Sequence, residues 1–480
     1  MEKRLFLFIV LSFIILYIHS LLLPKKGIKP PHSKEETIQK PIMPVIKEKS
    51  PSLPLVSEKM LVFNNGLFSS RLSCKGTIEA FNLLKFNDRQ GNPYTIIKDG
   101  DTFSMFLEGK EIFPDGFSKG GFVYEKGKFK IIKEYKFSTN SYLSSIKLSF
   151  INKTAEQITL PPLFLSLKTS LGNDPELKGE APFSYLAGKV KRVSKDKECE
   201  IPEVIDWVAS QDKYFLFVAI PKMRFSCLLF SKDDVKGGFP RYSLKGNEVL
   251  VNEVKVYAGP RDYKILKGIG LANLSGLWSL SKPLLFVLNL LYSFVRNYGV
   301  AIIILTLLIK IILHPLTRKN FKMMKKMQAI KPYMDKLKEK HKDDQQAFQK
   351  EMIRLYKEHN LNPFGGLLPI LLQMPIFFAL YNTLNKAIQL RGAPFILWIK
   401  DLSLKDPYFI LPILMGITML IQQKMTPSQQ EESTEKIMLI MPIVMTFIFL
   451  NFPSGLVLYW LVQNILTIIE HWFIEKGIEK

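Results

Sequence analysis

A chain of 480 residues that is 47% hydrophobic and carries a formal net charge of +23 has room for two or three domains and calls for an anionic partner, either nucleic acid or a phospholipid surface. Several apolar runs of about twenty residues decide for the membrane and against a specific nucleic-acid site. Cys74, Cys199 and Cys227 lack CxxC spacing and allow at most one bridge; with no phosphate-binding glycine loop, no HExxH and no ligand-spaced histidines, the sequence predicts no enzyme, no cofactor and no metal.

The run from Leu5 to Leu23 follows Lys3 and Arg4 and ends without a small-residue cleavage site, so residues 1–23 are predicted to be an uncleaved transmembrane anchor. Pro24, Pro30, Pro31, Pro41, Pro44, Pro51 and Pro54, set among lysines and glutamates, make 24–55 a semi-extended linker. Over 56–268 helical periodicity gives way to short strand-like runs. Lys128 to Phe137 and Tyr142 to Ile151 flank Ser138-Thr139-Asn140-Ser141 and read as a hairpin. Tyr214–Ile220, Arg224–Phe230 and Val249–Tyr257 are further strands, and a β-sandwich is the natural way to bury them. Asp206-Trp207 reads as a structural pair rather than a ligand site.

Residues 276–296, apolar from Leu277 to Val295 with Ser281, Lys282, Pro283 and Asn289 interspersed, suit an amphipathic helix lying on the outer interface. Residues 298–316 then form a spanning helix. Thr306, Lys310 and His314 recur four apart on one of its faces. A lysine at that depth costs roughly 2.5–3.5 kcal/mol. Either its stem snorkels to the basic boundary or the face lines a polar groove.

Residues 317–360 hold thirteen basic and six acidic side chains. Met323, Met327, Ile330, Met334 and Leu337, and then Phe348, Met352, Leu355 and His359, keep a three-and-four spacing, which predicts two amphipathic helices meeting near His341–Asp344, with Asp343 and Asp344 at the bend. Basic short loops stay in the cytoplasm, so this hairpin is inside. By parity, both termini are cytoplasmic and 24–281 is outside. Four more spans follow at 364–384, 408–423, 437–452 and 455–473. On the last, Trp460, Asn464, Thr467 and His471 make a polar-aromatic stripe beside Gln463. Polar groups at membrane depth face a bundle or cavity, so Lys310, Gln373, Gln463 and Asn464 favour the groove.

LNPFGGLLPILLQMPIFFALYNTL (361–384), RGAPFILWIKDLSLKDPYFILPILMGITM (391–419), NFPSGLVLYWLVQNILTII (451–469) and YAGPRDY (257–263) resemble the YidC family of membrane protein insertases, in its long bacterial form. The resemblance implies a bacterial inner-membrane protein with an N-terminal anchor, a five-helix core, a periplasmic β-sandwich of the supersandwich type and a cytoplasmic hairpin. It implies a groove open to cytoplasm and lipid but closed outside. Lys310 stands where the family usually has arginine, Thr306 is its polar neighbour, and Trp460 stands where a tyrosine is expected. Pro369, Pro375 and Phe377 match positions along which substrate slides. The implied partners are nascent membrane proteins and the lipid bilayer, with the Sec translocon, the ribosome and targeting factors as possible associates. A secondary transporter with an intramembrane cation site is the rival reading; it would call for repeated hydropathy and several midplane charges, whereas this chain has no internal repeat.

Overall fold

In the strand Phe129–Phe137, alternate residues Phe129, Ile131, Lys133, Tyr135 and Phe137 share one face. The strand pairs antiparallel with Leu143–Asn152, Phe137 opposite Ser144 and Phe129 opposite Asn152, giving the hairpin that the sequence predicts. The computed structural model describes residues 61–478 apart from 89–90, 99, 119–120, 169–170, 172–182, 194–197, 232–233, 342–343, 360, 362–367 and 426–431. The anchor expected at 1–23, the linker at 24–55 and Asp343 lie outside the described residues.

That hairpin sits inside a nine-stranded sheet ordered Lys189–Val193, Phe183–Ala187, Trp207–Gln211, Phe215–Pro221, Val249–Pro260, Leu143–Asn152, Phe129–Phe137, Gly121–Lys126 and Gly116–Ser118. A six-stranded sheet containing Leu163–Lys168, Cys227–Ser231 and Asp234–Gly238 packs on it, with Phe183 and Tyr185 meeting Phe230. A four-stranded sheet from Leu61 to Ile97 closes a further side, Tyr94 stacking on Phe215 at 4.0 Å. Phe215–Pro221 is buried along almost its whole length, as a strand covered on both faces should be. Trp207 belongs to this core, and Asp206 pairs with Arg224 at 2.7 Å. The three cysteines are free thiols.

Lys133 is fully buried on the apolar face of its strand, and its ammonium donates to the carbonyls of Gly76, at 2.7 Å, and Phe103. Burial pushes its pKa down to about 7. The unfolded chain keeps that proton up to the ordinary lysine value, so stability rises with pH through the window from about 7 to about 10.5. Raising the pH from 7 to about 9.5 should therefore raise the unfolding temperature of the β-domain in the detergent-solubilised chain, and Lys133→Met should flatten that slope. Equal slopes in the two proteins would refute the assignment.

YAGPRDY closes the β-domain. Arg261 is buried and donates through Nη1 to Asp212 O (2.5 Å) and through Nε to Leu274 O (3.0 Å). Asp262 caps helix α1 (Tyr263–Gly268), accepting from Lys264 N and Ile265 N, and its other oxygen accepts from Gln389 Nε2 at 2.5 Å. Arg391 donates to Asn87 O at 2.7 Å and lies over the rings of Tyr94 and Phe215. The β-domain thereby docks on the loop that follows the helix Leu368–Lys386.

The helical part comprises α2 (Ser281–Val295), α3 (Tyr298–Ala329), α4 (Lys331–Lys340), α5 (Gln345–Glu358), α6 (Leu368–Lys386), α7 (Ile410–Met425), α8 (Glu432–Phe449) and α9 (Ser454–Ile478). Arg296, left-handed at φ 55°, ends α2, and Asn297 caps α3 by accepting from Val300 N. The helix does not stop at the compositional boundary after Leu316. It runs on through Pro315 to Ala329, because the lysine- and methionine-rich segment beyond is itself helix-favouring. Among the described residues, two helices are long and apolar enough to cross a bilayer, α3 and most of α9. These two pack together, and α9 also packs on α7.

Candidate functional site

Along α3, Thr306, Lys310 and His314 stand one turn apart, facing α9. Thr306 is fully buried and its hydroxyl donates to Ile302 O of its own helix at 2.7 Å, which is how a hydroxyl is satisfied without leaving a helix. Lys310 reaches across to α9. Its Nζ donates to Thr467 Oγ1 at 3.0 Å and lies 2.7 Å from Glu470 Oε2. The contact with Oε2 is ionic rather than directional, since that oxygen lacks an aligned hydrogen-bond donor among the described residues. The second carboxylate oxygen, Oε1, lies 2.7 Å from His314 Nδ1. The Lys310 and Glu470 side chains are 11% and 6% exposed, whereas that of His314 is 50% exposed. The seam is therefore closed at Lys310 and opens at His314, towards the basic extension of α3.

Glu470 is the residue that sequence reasoning missed. The visible stripe on the last helix was Trp460, Asn464, Thr467 and His471, yet Gln463, Thr467 and Glu470 at four and three apart define the face turned to Lys310. A lone carboxylate in the apolar run Ile465-Leu466-Thr467-Ile468-Ile469-Glu470 was the available signal. Two deep charges of opposite sign on helices that must pack are better satisfied together than apart. Taking both ions out of water offsets most of their attraction, so the pair adds little net stability. Removing either partner alone costs on the order of 3–5 kcal/mol.

The other expected site residues divide. Gln463 shares the Lys310 side of α9: its carbonyl accepts from Thr467 Oγ1 at 2.7 Å, while its side-chain Oε1 is buried with no hydrogen-bond donor among the described residues. Asn464 turns to α7 instead, donating to Met415 O (3.3 Å) and Thr418 Oγ1 (3.2 Å). Gln373 on α6 donates to Tyr459 Oη at 2.8 Å. Trp460 meets Phe377 edge-to-face at 5.0 Å and 89°, and Phe449 at 5.3 Å. Pro375 is exposed, Phe377 is buried, and Pro369 is the second residue of α6. Asp344 caps α5, accepting from Gln346 N and Ala347 N. Met327, Ile330 and Leu361 form a small core beneath the hairpin, joined by Met323, Met334, Leu355 and Tyr356. Among the described residues no group of three His, Cys, Asp or Glu could hold a metal ion.

The ends of α3, α7 and α9 nearest the β-domain are tied by the loop 387–409. Phe395 O accepts from Asn297 Nδ2 at 2.9 Å, and the Phe395 ring lies so close to Gly299 that a Cβ there would come within 2.0 Å of it. Leu402 O accepts from Gly455 N (2.9 Å) and Leu404 O from Ser454 N (2.7 Å). Asp406, 1% exposed, accepts from Trp398 Nε1, Tyr408 N and Leu411 N at 2.8–3.0 Å.

Residues 290–480 match the family described as 60Kd inner membrane protein, and 121–287 match the YidC periplasmic domain. The protein of Geotalea daltonii named membrane protein insertase YidC is 33% identical over 535 aligned positions that cover 100% of both chains. Its namesake from Syntrophus aciditrophicus is 42% identical over 373 residues, 73% of this chain and 68% of that one. A solved structure, an active YidC insertase with its first transmembrane domain resolved, is similar at 20% identity and a TM-score of 0.41, covering 86% of this chain and 92% of the other.

Proposed function

The chain belongs to the YidC family of membrane protein insertases, an inner-membrane protein with a periplasmic domain, and on that premise we propose that the α3–α9 seam is the groove through which it moves client segments. The observation that carries the proposal is a buried lysine between two membrane-capable helices, with a polar path from it to the exposed His314. Clients are nascent membrane proteins whose hydrophobic segment carries a short polar tail. The tail enters from the cytoplasm past the basic hairpin and is held near Lys310. At an effective dielectric of ~20, a pair at ~4 Å gains on the order of 4 kcal/mol before desolvation, enough to attract without trapping. The apolar segment then leaves past Pro369, Pro375 and Phe377 into lipid, and its burial drives the step without nucleotide.

The orientation belongs to the same proposal: an anchor in 1–23, five core spans beginning with 298–316, both termini in the cytoplasm and 24–281 in the periplasm. Exposed apolar side chains support the lipid contacts. Ile311 and Ile312 on α3 are 60% and 74% exposed, and Phe286, Leu290 and Phe294 recur four apart on the outward face of α2, as suits a helix lying in the interface. The Sec translocon, the ribosome and targeting factors are further partners in this reading.

Purified protein in liposomes should insert a single-span client with an acidic tail, without nucleotide and without passing small solutes. Solute flux in place of insertion would favour a transporter. In the same vesicles, cysteines placed singly at Lys342 and Asn247 in a cysteine-free background should react from opposite sides with an impermeant reagent; reaction from one side would overturn the orientation.

A further inference from the structure

Lys310 is not waiting with an open charge. Glu470 already occupies it at 2.7 Å, in the manner a client carboxylate would. We propose that Glu470 is a resident competitor that sets how acidic a client tail must be to take Lys310, and so a specificity-determining residue of insertion. The inference rests on the reading of Lys310 as the groove's binding charge.

The geometry makes the exchange feasible. Glu470 uses one oxygen for Lys310 and the other, at 2.7 Å, for His314, one turn beyond Lys310 on α3. When a client carboxylate displaces it from Lys310, Glu470 still has the imidazole as partner, and Lys310 still has the Thr467 hydroxyl at 3.0 Å. Neither ion is stripped bare during the handover, which is the situation that makes buried charges costly. His314 is also the exposed end of the seam, so an incoming tail meets the Glu470–His314 contact before it reaches Lys310. A neutral tail draws nothing from Lys310 whether or not Glu470 holds it, whereas a tail with one or two aspartates must outcompete Glu470 for the ammonium.

A binding group that is free only part of the time lowers apparent affinity by the fraction of time it is free. The test is the initial insertion rate against client concentration in liposomes, for client twins differing only in two tail aspartates or two asparagines. Glu470→Gln should widen the ratio of half-saturating concentrations, Asn twin over Asp twin, by about tenfold, as expected if Lys310 is free roughly a tenth of the time in the native protein. Glu470→Asp, whose shorter side chain holds Lys310 less closely, should fall between. Lys310→Gln should erase the ratio. If Lys310→Gln erases it but Glu470→Gln leaves it unchanged or narrows it, the groove reading stands and the competitor proposal fails. If Lys310→Gln leaves the ratio intact, the groove charge itself is refuted and the competitor with it. Should Glu470→Gln not fold, an unchanged ratio in Glu470→Asp overturns the proposal by itself.

Discussion

Lys310→Ala should lose both stability and the preference for acidic tails, and a second substitution should separate the two. With the ammonium gone, Glu470 is a buried carboxylate 6% exposed, held by His314. Orphaning one member of a buried pair costs on the order of 3–5 kcal/mol, and the remaining imidazole contact puts the expected loss at the lower end. The detergent-solubilised variant should therefore unfold several degrees below the native protein. Lys310→Ala combined with Glu470→Gln removes the orphaned charge and should recover most of that loss. Insertion of an aspartate-tailed client should stay impaired in the double variant, because nothing is left to hold the tail. Lys310→Arg should keep both properties, since guanidinium carries the same charge and can span two carboxylate oxygens. The reversed pair, Lys310→Glu with Glu470→Lys, should be folded but should alter the client preference by moving the cation to α9. A snorkelling lysine predicts the opposite: Lys310→Ala would be neutral or stabilising, and tail charge would be irrelevant. Equal stability of Lys310→Ala and the native chain, with an unchanged Asp–Asn difference, would remove both the pair's energetic role and the groove charge.

The features legible in the sequence are those set by local spacing. Four-residue recurrence put Thr306, Lys310 and His314 on one face, and the turn at Ser138–Ser141 gave the central hairpin of the large sheet. The register of Lys133 was also legible, since it falls between Ile131 and Tyr135 on the inward face, but a lysine in a strand rich in lysine reads as solvent-facing until the backbone carbonyls that receive it are known. How far α3 continues is not legible at Pro315, which coincides with the change from apolar to basic composition. A proline removes one helical donor, yet the residues after it favour helix strongly enough to continue α3 to Ala329. The Lys310–Glu470 pair joins positions 160 apart in the chain, so only the packing of α3 on α9 could reveal it. The division of α9 has the same cause: Gln463 and Asn464 are neighbours in sequence but turn to α3 and α7 respectively, and hydropathy does not distinguish those faces. The sheet order likewise depends on pairings such as Leu143 with Tyr257, which no short window contains.

Asp406→Ala should be at least as damaging, although Asp406 lies far from the groove charge. Its two oxygens receive the Trp398 indole N–H at 2.9 Å, Tyr408 N at 3.0 Å and Leu411 N at 2.8 Å. Truncation leaves these donors in a site that is 1% exposed, and a buried unsatisfied donor costs about 1–3 kcal/mol. A loss of roughly 3 kcal/mol or more follows for the group. Asp406→Asn keeps one acceptor oxygen and should lose less. Leu397 and Phe409 flank the site at φ 53° and 58°, conformations that non-glycine residues hold only where their surroundings impose them; without the carboxylate that constraint is gone. The consequence reaches beyond α7, because the loop it secures also carries Phe395 onto Gly299, Leu402 onto Gly455 and Leu404 onto Ser454. These contacts hold together the ends of α3, α7 and α9 nearest the β-domain, the end that must stay shut if the proposed groove opens only to cytoplasm and lipid. Asp406→Ala should accordingly show a lowered unfolding temperature, a red-shifted Trp398 emission in a background with the other tryptophans replaced, and ion leakage from proteoliposomes that the native protein keeps sealed. A variant that unfolds within about a degree of the native chain and leaks no ions would show that the 387–409 loop is not what closes the outer face, and the closure would then have to be sought in the docking of the β-domain through Arg391.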